Sequence, residues 1–223
     1  MGETITIPTS KTQCIGAYVA RPKGPPKGGI VVVQEIFGVN PHMRNVTDRF
    51  AEHGYVAIAP AFFDHVESNV ELGYDEAGFK RGRELIGEIS FETAIEDVAS
   101  ATEAIKSAGR IGCVGYCWGG TVAYLAAARL AMPSVSYYGA RNVKFLDEKP
   151  KAAVQFHFGE KDTSIPSEAV EAHRKALPDY EVYTYPAGHA FDRAVDPKAY
   201  DPASAKLALE RTLAFFDKHL GGA

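Results

Sequence analysis

Gly115-Tyr116-Cys117-Trp118-Gly119-Gly120 has the form Gly-x-Cys-x-Gly and divides two kinds of sequence. Before it lies an apolar run, residues 111–114; after it comes an alanine-rich pattern of helical spacing, residues 121–130. A strand turning sharply into a helix predicts an elbow that lifts its central side chain above a parallel sheet. The flanking glycines relieve crowding where the backbone is strained and the helix starts close to the strand. Serine usually occupies the centre of such an elbow; here it is cysteine. Two readings of Cys117 stand side by side. It is either a covalent nucleophile or a buried thiol in a glycine-rich turn, since free cysteine is among the most buried residue types. The first reading requires an acid and then a histidine further along the chain.

Both are present downstream. A predicted strand over residues 152–158 runs into Gly159-Glu160-Lys161-Asp162, which places Asp162 where the acid belongs, with Glu160 as its local competitor. A loop carboxylate is more commonly just solvated. After the last predicted strand, residues 181–185, comes Gly188-His189-Ala190-Phe191. A single histidine is usually structural or exposed, and this one is among seven in the chain. The order Cys117, Asp162, His189, each at the end of a different predicted strand, is far more specific than any one member. A thiol needs a base, and the base an orienting partner, to act as a nucleophile near neutral pH.

Upstream, Gln34-Glu35-Ile36-Phe37-Gly38 follows the β-branched run of residues 30–33. Such a loop supplies one backbone N–H of an oxyanion hole, and the residue after the nucleophile supplies the other. The expected donors are the amides of Ile36 and Trp118, which would stabilise charge developing in a tetrahedral intermediate. Glu35 ends a buried strand, where a bare carboxylate is costly and must be paired or protonated. It is read either as the partner of an arginine such as Arg44 or as an ionisable group that controls thiolate formation at Cys117. Arg193 lies four residues after His189; if that segment is helical, both share a face. Arginine is suited to grip a substrate carboxylate through two hydrogen bonds, and the ordinary alternative is a surface arginine.

The remaining pattern alternates strands and helices. Residues 4–8 and 14–20 read as an antiparallel opening hairpin joined by the polar stretch 9–13. Asn40-Pro41 reads as an N-cap with proline in the first turn, opening a helix that runs to about Gly54. Further helices are expected over residues 75–88, 92–107, 167–177 and 203–219, the last presenting Leu209, Leu213 and Phe216. Further strands are expected over 55–59 and 135–138. Residues 60–90 are the hardest stretch to place. Alternation of this kind implies one α/β domain over residues 1–223, with a mostly parallel, doubly wound sheet and helices on both faces.

Bulk properties narrow the function. With 223 residues and 46% hydrophobic content the chain can bury a large core. A net charge of -4 gives no electrostatic footprint for nucleic acid or an anionic membrane. Three cysteines without a Cys-x-x-Cys pair suggest neither a disulfide framework nor a metal site. No apolar run is long enough to span a bilayer, and Met1-Gly2-Glu3-Thr4 begins no signal peptide. A cytoplasmic, monomeric protein without cofactor is expected.

The four blocks Gln34–Asn40, Gly115–Gly120, Gly159–Asp162 and Gly188–Arg193, in this order and spacing, resemble the dienelactone hydrolase family, a branch of the α/β-hydrolase fold. The resemblance covers the chain from about Ile30 to the final helix. It implies a Cys117–His189–Asp162 triad with Glu35 linked to thiol activation. It also implies hydrolysis of an enol-lactone such as a carboxymethylenebutenolide, in the catabolism of aromatic compounds. Two arginines would hold the substrate carboxylate: Arg193 by its offset from the histidine, and Arg81 rather than Arg83 in the helix of the hard stretch. Trp118 departs from the smaller aliphatic residue usual after the nucleophile, which puts the substrate in doubt more than the reaction. Two alternatives remain: a broader carboxylesterase or thioesterase on the same scaffold, and a non-catalytic thiol redox sensor or ligand-binding protein.

Overall fold

The computed structural model describes residues 2–9 and 13–221. The chain forms two compact units, one running through Gly112 and taking in Leu220, the other Cys113–His219.

In the first unit, β1 (Glu3–Pro8) and β2 (Cys14–Ala20) pair antiparallel from Glu3↔Val19 to Pro8↔Cys14. This is the expected hairpin, closed by a Thr9 N–H to Gln13 carbonyl bond of 2.8 Å; residues 10–12 of its connection lie outside the described residues. β3 (Gly29–Val33) and β4 (Val56–Pro60) run parallel, and β4 pairs antiparallel with β2. Ile15, Ala17 and Val19 alternate into the core, whereas every residue of β3 is buried. That contrast is the one between a strand with one covered face and a strand covered on both.

Helix α1 (Pro41–Glu52) begins where the sequence placed it: Asn40 Oδ1 accepts the Met43 N–H at 3.2 Å, with Pro41 in the first turn. Its buried Met43, Val46, Thr47 and Phe50 follow helical spacing, and the chain leaves through Gly54 at φ +96°. α2 (Glu76–Glu88) and α3 (Phe91–Ala104) start on Asp75 and Ser90, whose side chains accept the N–H groups of Gly78 and Thr93. α3 buries Ile95, Val98 and Ala101 as its periodicity requires.

The hard stretch between β4 and α2 is held by contacts distant in sequence. Phe62–His65 forms a single 3₁₀ turn. From it Asp64 accepts the N–H of Gly16 at 2.7 Å and that of Asn69 at 3.3 Å. Glu71 bridges to Gly38 and ion-pairs with Arg44. Gly82 lets α2 lie against the loop after β3, because a Cβ there would sit 2.1 Å from the Ile36 carbonyl oxygen.

In the second unit, β5 (Ile111–Tyr116), β6 (Ser134–Tyr137), β7 (Val154–Gly159) and β8 (Glu181–Tyr185) are parallel neighbours in chain order. α4 (Trp118–Arg129) is buried on all sides from Trp118 to Ala128. Its alanines and glycines are what permit that, since a helix apolar all round must be enclosed. α5 (Ser167–Ala176) and α6 (Pro202–Leu220) complete it. The buried stripe of α6 is Ala205, Ala208, Thr212, Phe215 and Phe216. Leu209 and Leu213, expected to form it, are only half-buried, because small residues and a hydrogen-bonded threonine occupy the tight contact instead.

Replacing Asn40 with Ala removes both the α1 cap and a 2.9 Å bond to Tyr74. It should lower stability by about 1–2 kcal/mol. Asn40→Asp should retain the cap. Urea unfolding should show a lower midpoint for Asn40→Ala at unchanged m-value.

Candidate active site

β5 ends in the expected elbow. Cys117 has φ 58° and ψ -116°, a left-handed conformation that costs a non-glycine residue on the order of 1–3 kcal/mol. The turn is held by the Cys117 N–H donating to the Tyr137 carbonyl at 3.0 Å and the Gly120 N–H to the Cys117 carbonyl at 3.0 Å. Close approach explains Gly115 of the motif and Gly120 just beyond it. A Cβ on Gly115 would lie 1.8 Å from the Gly119 carbonyl oxygen, and one on Gly120 would lie 2.5 Å from that of Tyr137. Cys117 is half-buried and stands at the N-terminus of α4, where the helix dipole favours negative charge.

Asp162 follows β7 in a tight turn, its N–H bonded to the Gly159 carbonyl. The Glu160 N–H donates to Tyr185 and that of Lys161 to Ala187, so this turn is fastened to the loop after β8. Gly159 permits the approach, since a Cβ would lie 2.5 Å from the Ala187 carbonyl oxygen. Of the two candidate acids, Glu160 points to solvent, whereas the Asp162 side chain is 0% exposed. Asp162 Oδ1 accepts the Ser164 N–H at 2.8 Å, and Oδ2 accepts from His189 Nδ1 at 2.6 Å. His189 is in turn hydrogen-bonded to Cys117. His189 thus meets the Asp162 carboxylate on one side and is influenced by Cys117 on the other.

Two other buried histidines illustrate the difference. His157 on β7 lies among Tyr185, Gln155 and Thr212, and burial, helped by the charge of Arg211, pushes it down to about 3. His173 on α5 bonds its own helix at Ala169, and burial lowers it as well. His189 goes the other way. Burial opposes charge on its ring, but the negative charge at Cys117, hydrogen bonds to Asp162 and Cys117, and the Asp162 carboxylate outweigh that and push it up to about 10. Tyr138, which the sequence did not single out, packs its ring 5.0 Å from His189 from a strained position at φ 39°. Its place after β6, one more strand end, is the signal that could have found it.

Arg193 is no surface arginine: it is 3% exposed, and Nη1 donates to Asp196 at 3.1 Å. The segment from His189 to Asp192 is a run of turns, so the helical-face argument for pairing His189 with Arg193 does not apply. Trp118 is buried in the first turn of α4, where backbone N–H groups have no intrahelical acceptor.

In the first unit, Glu35 is 1% exposed at the end of β3, and Ile36 follows, also buried. Arg44, the arginine considered for Glu35, pairs with Glu71 instead. Arg81 has a side chain 39% exposed and is held by Glu67 and Glu84. Among the described residues no cluster of three or more His, Cys, Asp or Glu side chains could hold a metal ion. No helix among them is long and apolar enough to cross a membrane.

A mostly parallel α/β fold with this elbow, and an acid and a histidine at later strand ends, is that of an α/β-hydrolase. The profile of the dienelactone hydrolase family matches residues 15–220. A carboxymethylenebutenolidase of Pseudomonas putida is 32% identical, the match covering 96% of this chain and 95% of that protein. Carboxymethylenebutenolidase 1 of Cupriavidus pinatubonensis is also 32% identical, over 89% of each chain. A provisionally assigned dienelactone hydrolase from Klebsiella pneumoniae superposes with a TM-score of 0.87 at 30% identity, over 98% of each chain. The chain belongs to the dienelactone hydrolase family and is a hydrolase.

A histidine raised above its unfolded value contributes stability that is complete below the ordinary histidine range and lost as pH rises through about 10. His189 should therefore remain protonated at pH 8 in ¹⁵N-resolved NMR spectra. Cys117→Ala removes the largest cause that raises it, so the His189 titration should shift to lower pH. A curve unchanged by that substitution would show that Cys117 carries no charge beside the ring.

Proposed function

We propose that this hydrolase opens an enol-lactone, or a related ester bearing a carboxylate, by covalent catalysis at Cys117. The observation that supports the reading is the 2.6 Å hydrogen bond between His189 and Asp162, together with the rise of His189 to about 10 that Cys117 and Asp162 cause. A thiolate beside an imidazolium is already a nucleophile, without a proton transfer in the first step.

Cys117 Sγ attacks the lactone carbonyl carbon, and the carbonyl π electrons move onto oxygen. The backbone N–H groups of Trp118 and Ile36 donate hydrogen bonds to that developing oxyanion. As the intermediate collapses, the ring C–O bond breaks and the enolate oxygen leaves, taking the proton from His189. The acyl group remains on Cys117 as a thioester. Neutral His189, oriented by Asp162, then removes a proton from water, whose oxygen attacks the thioester and expels the Cys117 thiolate. The products are a carboxylate and an enol that reverts to its ketone. In this reading Arg193 and Arg81 hold the carboxylate of the substrate, and Glu35 governs the charge state of Cys117. The names carried by the Pseudomonas and Cupriavidus relatives support carboxymethylenebutenolide as the type of lactone.

A panel of anionic lactones, neutral aryl esters and acyl-thioesters, run on the wild type and three variants, tests this. Cys117→Ala should lower kcat/KM by about 10³-fold or more, and rapid mixing of the wild type should trap an acyl group on Cys117. Arg193→Ala should raise KM roughly tenfold for carboxylate-bearing substrates and leave neutral esters near wild type. Glu35→Gln should change the pH profile of the acylation step. Full activity of Cys117→Ala would sink the mechanism. A preference for neutral esters would replace the lactone by a general carboxylesterase activity, and reversible thiol oxidation without any turnover would favour a sensor.

A further inference from the structure

Away from the elbow, the second unit contains a cavity of about 470 Å³, within the size range of small-molecule sites. It lies where β7 and β8 begin, at Val154 and Glu181, and is bounded on one side by α6 through Arg211, Phe215 and Lys218. Asp162 and His189 follow the opposite ends of those same two strands. At about 3.3 Å per residue, five-residue strands set the two places roughly 15 Å apart. The cavity is therefore distinct from the catalytic centre.

Its lining combines aromatic surface with two cations, Arg211 and Lys218, and two acids, Glu181 and Asp179. Val154 and Phe215 are buried at its base and Tyr180 and Tyr183 form its walls. The Arg211 guanidinium lies 4.0 Å from the centre of the Tyr183 ring and donates to Tyr185 Oη at 3.1 Å. Among the described residues Arg211 makes no ion pair, and neither does Lys218. Neither acid forms an ion pair with Arg211 or Lys218. Glu181 accepts from Gln155 Nε2 at 2.6 Å and is bonded to the Tyr183 hydroxyl, while Asp179 faces solvent at the rim. Behind Arg211 the network continues from Tyr185 to His157. His157 is held neutral by burial and by Arg211, so it adds no second positive charge behind the guanidinium. His219, beside Lys218, is likewise lowered, by burial first and then by Lys218.

A half-buried guanidinium fixed against an aromatic ring, with most of its donors unused, is preorganised for a carboxylate. We propose that this cavity is a second binding site, for a small aromatic carboxylate whose acid group meets Arg211 and Lys218 and whose ring packs against Phe215 and Tyr180.

Benzoate and its neutral counterpart benzamide are the probes, titrated into the full chain by calorimetry and by ¹H–¹⁵N chemical shift. Benzoate should bind and perturb the amides of β8 and α6, and benzamide should bind roughly tenfold or more weakly. Arg211→Gln should weaken benzoate by about tenfold, and Lys218→Gln by a smaller factor. Ala214→Phe, at an exposed position of α6 lining the cavity, should abolish binding by filling it without touching the charges. Thermal melting identifies any variant that fails to fold, so Ala214→Phe keeps the test decisive if Arg211→Gln does not. Cys117→Ala should bind benzoate as the wild type does. No binding up to about 10 mM, binding indifferent to both Arg211→Gln and Ala214→Phe, or binding lost in Cys117→Ala would overturn the proposal.

Discussion

The second unit depends on a backbone constraint at one residue. Cys117 must sit in a left-handed conformation for β5 to turn directly into α4, and only glycine at 115 and 120 leaves space for that turn. The strain is held by bonds the elbow makes to its surroundings, above all the Cys117 N–H to the Tyr137 carbonyl on the next strand. Once α4 starts there, it runs enclosed, and its alanines follow from that enclosure. The strained residue is also the proposed nucleophile, an association common where a site is built into a fold.

The second constraint is electrostatic. The same side-chain type takes opposite charge states within one unit because the surroundings differ. His157 meets neutral partners and a nearby arginine, so burial keeps it uncharged. His189 meets a buried carboxylate on one side and Cys117 on the other, and holds its proton. The loop bonds from Glu160 to Tyr185 and from Lys161 to Ala187 make this possible. They fix the turn carrying Asp162 against the loop carrying His189, so two residues 27 positions apart meet at 2.6 Å. The chain belongs to the dienelactone hydrolase family, and Asp162 and His189 meet just beyond the ends of two of its strands.

Much of the fold was legible because its signals are local. The β-branched run of β3, the Asn40-Pro41 cap, the glycines of the elbow and the helical spacing of α3 each depend on neighbours within a few residues. The stretch between β4 and α2 resisted for the opposite reason. Its shape is set by Asp64 reaching Gly16, Glu71 reaching Gly38 and Arg44, and Gly82 lying on Ile36, none of which leaves a periodic trace. On α6, hydrophobicity favoured Leu209 and Leu213. The tight contact went instead to Ala205, Ala208 and Thr212, whose size a propensity argument undervalues.

The sequence by itself determined the α/β class, the elbow, and the order of cysteine, acid and histidine, since these rest on residue type and spacing. Tertiary structure alone shows that Asp162, and not Glu160, meets His189, because burial distinguishes two carboxylates two residues apart and composition does not. It also decided that Arg193 is an interior arginine paired with Asp196, in a run of turns rather than a helix. The partner of Arg44 was likewise a tertiary matter, settled by which carboxylate the folded chain brings within reach. Charge and hydrogen-bonding capacity are properties of a residue; whether they are satisfied, and by what, is a property of the surroundings that folding assembles.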